Sequence, residues 1–292
     1  MKALILNSGI GKRLRPFTKE NPKCLAKLHG KTILEYEIET LLYYGIKDII
    51  ITTGHFEEKI KKVIADKFPE LKVTYVNNPK CESTNNIYSI WLAKSLIDDD
   101  ILLMHGDMVF DKELFGRLLE YTHRTSVLVN NKIKVPEKDF KSRIKDGDVK
   151  EIGANVFGKD AFFLAPVYKF SKEDFNVCLK EIDRLVKKGD VTLYAEDAFN
   201  NIFDQINLYP VYYGDEFCME IDNYDDLEIA RKFLANNKIY WGILYKQTLP
   251  LFVISSKPHS LNFPQSSSYP MVFFISNSLK RFSKSEHFIS SK

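Results

Sequence analysis

Two glycines, Gly9 and Gly11, are followed at once by Arg13 and, beyond Pro22, by Lys23. They succeed a short apolar run, Ala3–Leu6, which reads as a buried strand opening into a loop. Glycine lets a backbone approach a ligand closely because it carries no Cβ. A fork-shaped cation and a compact one around such a loop describe a cradle for a polyphosphate. The spacing excludes two commoner phosphate loops. A P-loop needs four residues between its first glycine and a Gly-Lys-Ser/Thr, which Gly9-Ile10-Gly11-Lys12-Arg13 does not supply. A dinucleotide fingerprint needs a third glycine where Leu14 stands.

The elements that must position these residues alternate through the first half. A helix is predicted over Ile33–Tyr44 with Gly45 as its cap, and a strand over the β-branched run Ile49–Thr53. A charged amphipathic helix over Phe56–Phe68, a strand over Lys72–Val76, a helix over Asn86–Leu96 and a strand over Asp100–Met104 follow. This alternation implies an α/β fold, a mostly parallel mixed sheet with helices on both faces. Ligands in such sheets sit at the carboxyl ends of the strands, where the glycine loop and Asp107 both fall. Later come a strand at Ser126–Asn130, a hairpin turning at Asp146-Gly147 and a strand at Ala161–Tyr168. Ser171 and Asp174 resemble a capping box, and Asn223 is placed to cap a helix from Tyr224 to about Leu234.

The 292 residues carry a net charge of +3. Residues 1–238 hold 36 Lys/Arg against 38 Asp/Glu, so the body shows no nucleic-acid footprint. Residues 237–292 form a serine-rich, basic tail whose apolar bursts are too short to span a bilayer, and it is expected to be weakly ordered and separate from a domain at 1–236. Four separated cysteines without a C-x-x-C pair suit a reducing compartment, and no secretory leader opens the chain, so cytoplasm is expected.

Leu6, Gly9, Gly11, Arg13, Leu14, Pro16, Thr18, Pro22 and Lys23 fit the signature L-x-x-G-x-G-x-R-L-x-P-x-T-x-x-x-P-K. The chain thereby resembles the nucleotidyltransferases of GT-A-like, Rossmann-like fold, over roughly residues 1–236. Thr84-Asn85-Asn86-Ile87-Tyr88-Ser89-Ile90-Trp91-Leu92, Asp107 and the late Glu220-Ile221-Asp222 look like bacterial cytidylyltransferases acting on phosphocholine or phosphoglutamine. The resemblance implies transfer of CMP from CTP, Mg²⁺ held by Asp107 and Asp222, and a place in cell-surface polysaccharide biosynthesis. Arg13 suits the β- and γ-phosphates and Lys23 the α-phosphate. Leu6, Asn7, Ser8, Gly9 and Gly11, with Asn85 and Asn86, are expected to hold the nucleotide. Asn85 can equally be a simple helix cap. Asn7 and Ser8 stand where the family usually has Ala-Ala or Ala-Gly.

Sugar-1-phosphate nucleotidyltransferases, the alternative, usually carry mid-chain Glu-Lys-Pro and Asn-x-Gly-x-Tyr motifs that are not intact here. A second alternative is a nucleotide-binding protein without catalysis. For the acceptor, Phe140, Tyr168, Tyr194 and Trp91 are candidates for an aromatic cage around choline. Lys132, Lys134, Lys138, Lys141, Arg143 and Lys145 read either as a solvated basic hairpin or as the mark of an acceptor with an extra anionic group, as phosphoglutamine has. Oligomeric state is left open.

Overall fold

In the computed structural model, the described residues are 1–133 and 138–236. The chain divides into two units, Met1–Ile243 and Leu244–Lys292, the second wholly outside the described residues. The expected tail therefore lies outside them, as does Lys134.

The first half alternates as its sequence pattern requires. It runs β1 (Lys2–Asn7), β2 (Lys27–Leu28), β3 (Lys31–Thr32), α1 (Ile33–Tyr43), β4 (Ile49–Thr53), α2 (Glu57–Lys67), β5 (Val73–Asn77), α3 (Asn86–Ala93) and β6 (Ile101–His105). β7 (Met108–Phe110), α4 (Lys112–Glu120), β8 (Ser126–Asn130), β9 (Lys141–Lys145), β10 (Asp148–Gly153) and β11 (Ala161–Phe170) follow. The described chain ends with α5 (Lys172–Lys188), α6 (Ala195–Asn200), β12 (Tyr209–Tyr213), β13 (Cys218–Glu220) and α7 (Tyr224–Asn236).

Nine strands make one mixed sheet along the path β10-β9-β11-β6-β1-β4-β5, with β8 joining β11 to β12. β1, β4, β5 and β6 are mutually parallel, whereas β11 runs antiparallel to β6. The period-two alternation of β1 divides the core. Leu4 packs with α3, α5 and α6 on one face; Ala3 and Ile5 pack with α1, α2 and α4 on the other. A third cluster joins Leu14, Leu28, Val109, Ile221 and Leu227, and so ties the loop after β1 to α7.

Two expected caps differ in detail. Ser171 Oγ accepts from the Asp174 N–H at 3.1 Å, but the Ser171 N–H donates to Thr125 Oγ1, which also bonds the Asp174 carboxylate. Thr125 thus stands inside the box because the Asp174 side chain is one carbon short of glutamate. Asn223 and Asp226 form a complete reciprocal cap: Asn223 Oδ1 accepts from the Asp226 N–H at 3.0 Å and Asp226 Oδ2 from the Asn223 N–H at 3.1 Å.

Candidate active site

A cavity of about 900 Å³ opens at the carboxyl ends of β1 and β6. Leu6, Ser8, Gly9, Gly11, Arg13, Lys23, Asn85, Asn86, Asp107 and Asp222 all line it. Gly11 has φ 63°, and a Cβ there would lie 3.2 Å from both the Lys23 Cβ and Thr18 Cγ2, so conformation and space both call for glycine. A Cβ on Gly9 would meet nothing of the protein within 4 Å. Any demand for glycine at that position comes from what enters the cavity.

Asp107 and Asp222 are joined by a short ribbon. β7 and β13 pair antiparallel with Met108 opposite Glu220, and the Ile221 N–H donates to the Asp107 carbonyl at 2.9 Å. Lys23 Nζ then bridges the two carboxylates, 2.5 Å from Asp107 Oδ2 and 2.8 Å from Asp222 Oδ1. Arg13 reaches the other Asp222 oxygen at 2.7 Å. Leu14 and Ile221, both fully buried in the third cluster, fix the segments that carry Arg13 and Asp222. Burial opposes charge on Lys23, but Asp107 and Asp222 outweigh it and hold the ammonium above its ordinary pKa. Burial likewise pushes Asp107 upward, and Lys23 overcomes it to bring the carboxyl below its usual range.

A second charged group lies behind this one. His105, at the end of β6, stands between Glu196 (Nε2–Oε1, 3.3 Å) and Glu220 (Nδ1–Oε1, 3.2 Å). Burial disfavours the imidazolium, yet the two glutamates hold its pKa well above the ordinary value. Tyr168 donates to Glu196 Oε1 at 2.9 Å. Asn86 Nδ2 lies 3.2 Å from His105 Nε2 and 3.4 Å from Glu196 Oε2; against a charged imidazole it is the glutamate that accepts.

Donor type favours a hard cation here. Asp139, Glu220 and Asp222 offer carboxylate oxygens within 4.8 Å of one another, and Asp107 and Glu220 lie equally close beside His105, whose ring nitrogens face Glu196 and Glu220. Asp107 Oδ1 is buried without a hydrogen-bond partner, and the surrounding donors are mostly carboxylate oxygens, which suit Mg²⁺.

Several expectations are corrected by the geometry. Asn7 does not line the cavity; its carboxamide packs beneath Gly106. Asn85 takes the cap, one of its two readings, its Oδ1 accepting from the Asn86 N–H at 2.8 Å, and it lines the cavity as well. Asn86 spends its carbonyl on the Ala195 N–H at 2.8 Å, so its amide ties α3 to α6. The basic acceptor-side segment is largely paired or turned away. Lys132 meets Asp215, Arg143 meets Glu151 and Asp160, and Lys141 is fully buried, donating to the Ala154 carbonyl. Of the described basic residues there, Lys138 lines the cavity. Among the aromatic candidates, Phe140 and Tyr194 share its wall as an edge-to-face pair 5.1 Å apart. Tyr168 is core, and Trp91 stacks on Tyr88 and bonds Asp183.

Residues 2–138 match the nucleotidyl transferase family. The chain carries a nucleotidyl transferase domain. It is 25% identical to the CTP:phosphoglutamine cytidylyltransferase of Campylobacter jejuni, over 78% of this chain and 98% of that one. It is 28% identical to CMP-5'-(3-aminopropyl)phosphonate synthase of Streptomyces rubellomurinus over 63% of this chain, which spans 31% of that protein. The solved CTP:phosphocholine cytidylyltransferase of Streptococcus pneumoniae aligns with a TM-score of 0.68 at 25% identity, covering 80% of this chain and 98% of that one. Sugar-phosphate nucleotidyltransferases also stand among the relatives. The sheet order and the flanking helices agree with this nucleotidyltransferase architecture. Among the described residues, no helix is long and apolar enough to cross a membrane.

Sequence reasoning missed His105, Glu196 and Asp139 and left Glu220 without a role. The signal for His105 was its place at the end of a buried strand, two residues before Asp107. Glu196 gave none, since its partners are distant in sequence.

Proposed function

We propose that this protein transfers CMP from CTP to a small phosphorylated or phosphonylated acceptor and releases pyrophosphate. The observation that carries the reading is the convergence of Arg13, Lys23, Asp107 and Asp222 on the glycine loop. Asp107 and Asp222 would hold Mg²⁺, with Glu220 beside them. Bound there, the ion supplies charge neutralisation to the triphosphate.

The acceptor's phosphate oxygen attacks the α-phosphorus; one P–O bond forms, the α–β phosphoanhydride bond breaks, and pyrophosphate leaves. Catalysis in such a displacement is mainly position and electrostatics. Lys23, a compact charge at the mouth of the loop, stabilises negative charge at the α-phosphate. Arg13, exposed and forked, takes the β- and γ-phosphates. Phe140 and Tyr194, with Asp197 on the same wall, favour an acceptor bearing a positive ammonium group, as phosphocholine or phosphoglutamine does. Four free cysteines suit a cytoplasmic location.

The test is pyrophosphate release with Mg²⁺, each NTP in turn, and phosphocholine, phosphoglutamine or glucose-1-phosphate. CTP with one of the two ammonium-bearing acceptors should be fastest. Turnover only with UTP or dTTP and glucose-1-phosphate would transfer the assignment to the sugar-phosphate class. CTP binding without release under any condition would leave a nucleotide-binding protein.

A further inference from the structure

Asn7 stands where the family signature usually has alanine, and it faces away from the cavity. In the β1–β6 ladder Leu6 lies opposite His105, and the Gly106 N–H donates to the Leu6 carbonyl at 3.2 Å. The next step along both strands sets Asn7 beside Gly106. A Cβ at Gly106 would fall 2.0 Å from Asn7 Oδ1 and 2.3 Å from its Cγ. Gly106 has no positive φ, so conformation does not require glycine there. Space does, and the Asn7 carboxamide fills it.

On the other flank of Asp107, the Met108 N–H donates to Glu37 Oε1 at 3.3 Å. Glu37 comes from α1 and is 1% exposed. Asp107 thus has one neighbour packed against Asn7 and the other tied to Glu37. Asn7 Nδ2, Glu37 Oε2 and Asp107 Oδ1 are each buried without a partner.

We propose that Asn7 and Glu37 are positioning residues that brace the Gly106–Asp107–Met108 turn from behind, with Asn7 and Gly106 acting as a size-matched pair. The role rests on the proposed reaction in which Asp107 acts as a ligand. Residues behind a metal ligand commonly change affinity or activity about 10–100-fold when removed. Asn7→Ala opens space under the turn, and Gly106→Ala forces the turn away from Asn7. The double variant puts the new Cβ where the carboxamide was.

The experiment is this cycle in the full chain, read two ways. In metal-free protein, Gly106→Ala should lower the Tm, and Asn7→Ala/Gly106→Ala should recover part of the loss. In pyrophosphate release, Gly106→Ala should lower kcat about 10–100-fold with the KM for CTP changed less than about twofold. The double variant should regain at least about tenfold over Gly106→Ala. Additive losses in Tm overturn the size-matched pair. Coupling in Tm with kcat unaltered in Gly106→Ala reduces the pair to packing and overturns the positioning role. Should wild type release no pyrophosphate from any NTP, the proposed reaction fails and takes the positioning role with it, while the Tm cycle still decides the pair.

Discussion

Replacing Lys23 by methionine keeps its length and removes its charge, and the structure gives the consequence a size and a sign. Lys23 is 13% exposed and bridges Asp107 and Asp222, which are 20% and 16% exposed. Breaking a buried pair costs about 3–5 kcal/mol because a charge is left uncompensated. Here Arg13 continues to pair with Asp222, and all three side chains keep some solvent. The loss in metal-free protein should therefore be about 2 kcal/mol, or about 4–8 °C in Tm for a domain of this size. If Asp107 and Asp222 hold Mg²⁺ as proposed, the sign of the metal's effect reverses the usual expectation for a damaged site. In wild type, Lys23 competes for both carboxylates; in Lys23→Met, Asp107 is released and Asp222 keeps only Arg13. Mg²⁺ should then stabilise the variant more than wild type, restoring about 2–3 kcal/mol when the free ion exceeds its Kd about a hundredfold. Activity should not return with stability. The charge facing the α-phosphate is gone, and losing such a donor costs about 10²–10³ in kcat. Thermal melts in EDTA and across a Mg²⁺ series, beside pyrophosphate release, read all three effects. An unchanged Tm in EDTA, or greater Mg²⁺ stabilisation of wild type, would refute the reasoning.

Three further outcomes follow from other parts of the structure. Glu216 accepts from the Gly214 N–H at 2.9 Å and pairs with Arg117, which together lower its pKa to about 2. A depressed carboxyl pKa stabilises the fold above the unfolded pKa, and that stability is lost as pH falls from about 4.5 toward 2. Glu216→Gln should cost about 1 kcal/mol at pH 7 after solvent screening, with its urea-unfolding curve meeting that of wild type near pH 2. Asn223→Ala removes the acceptor for the Asp225 and Asp226 N–H groups at the start of α7, and a melt should show a loss of about 1 kcal/mol. Phe140→Ala takes one face from the aromatic wall; initial rates should show the acceptor KM raised about three- to tenfold and the KM for CTP unchanged.

Local signals carried the first half of the fold. The run Ile49–Thr53 is all β-branched and emerges as β4 with the same ends, buried throughout. The Asp146-Gly147 turn emerges with φ 55° and 87°, the left-handed pair that a two-residue hairpin of this hand requires. What local pattern did not carry was set by contacts from elsewhere. α4 holds Gly116 in its interior, a poor helix former, because the Tyr44 ring occupies the space a side chain would need. Asp111 stands at the N-cap of α4 without capping it; its carboxylate accepts from the Phe217 N–H instead. α6 has only six residues, and Asn86 on α3 bonds its first N–H. At the site, the glycine loop was legible because its demands are local. The acceptor wall was not. The basic residues at 132–145 look like one surface in sequence, but Lys132 pairs with Asp215, Arg143 pairs with Glu151 and Asp160, and Lys141 is buried, which leaves Lys138 on the cavity wall.

The site cancels its own charge. Lys23 lies between Asp107 and Asp222, and His105 lies between Glu196 and Glu220. Each buried cation is thus shared by two acids, and a low-dielectric interior makes that sharing obligatory rather than incidental. On the proposed reading, a metal-bound triphosphate brings both signs of charge together. The acids can exchange lysine for the metal while Arg13 and Lys23 exchange carboxylate for phosphate. Each buried charge then keeps an opposite partner throughout. The inner pair, His105 with its two glutamates, does not need to exchange at all. It ties Glu220 to α6 through Glu196, so the acidic end of β13 is held from β6 while the outer pair changes partners.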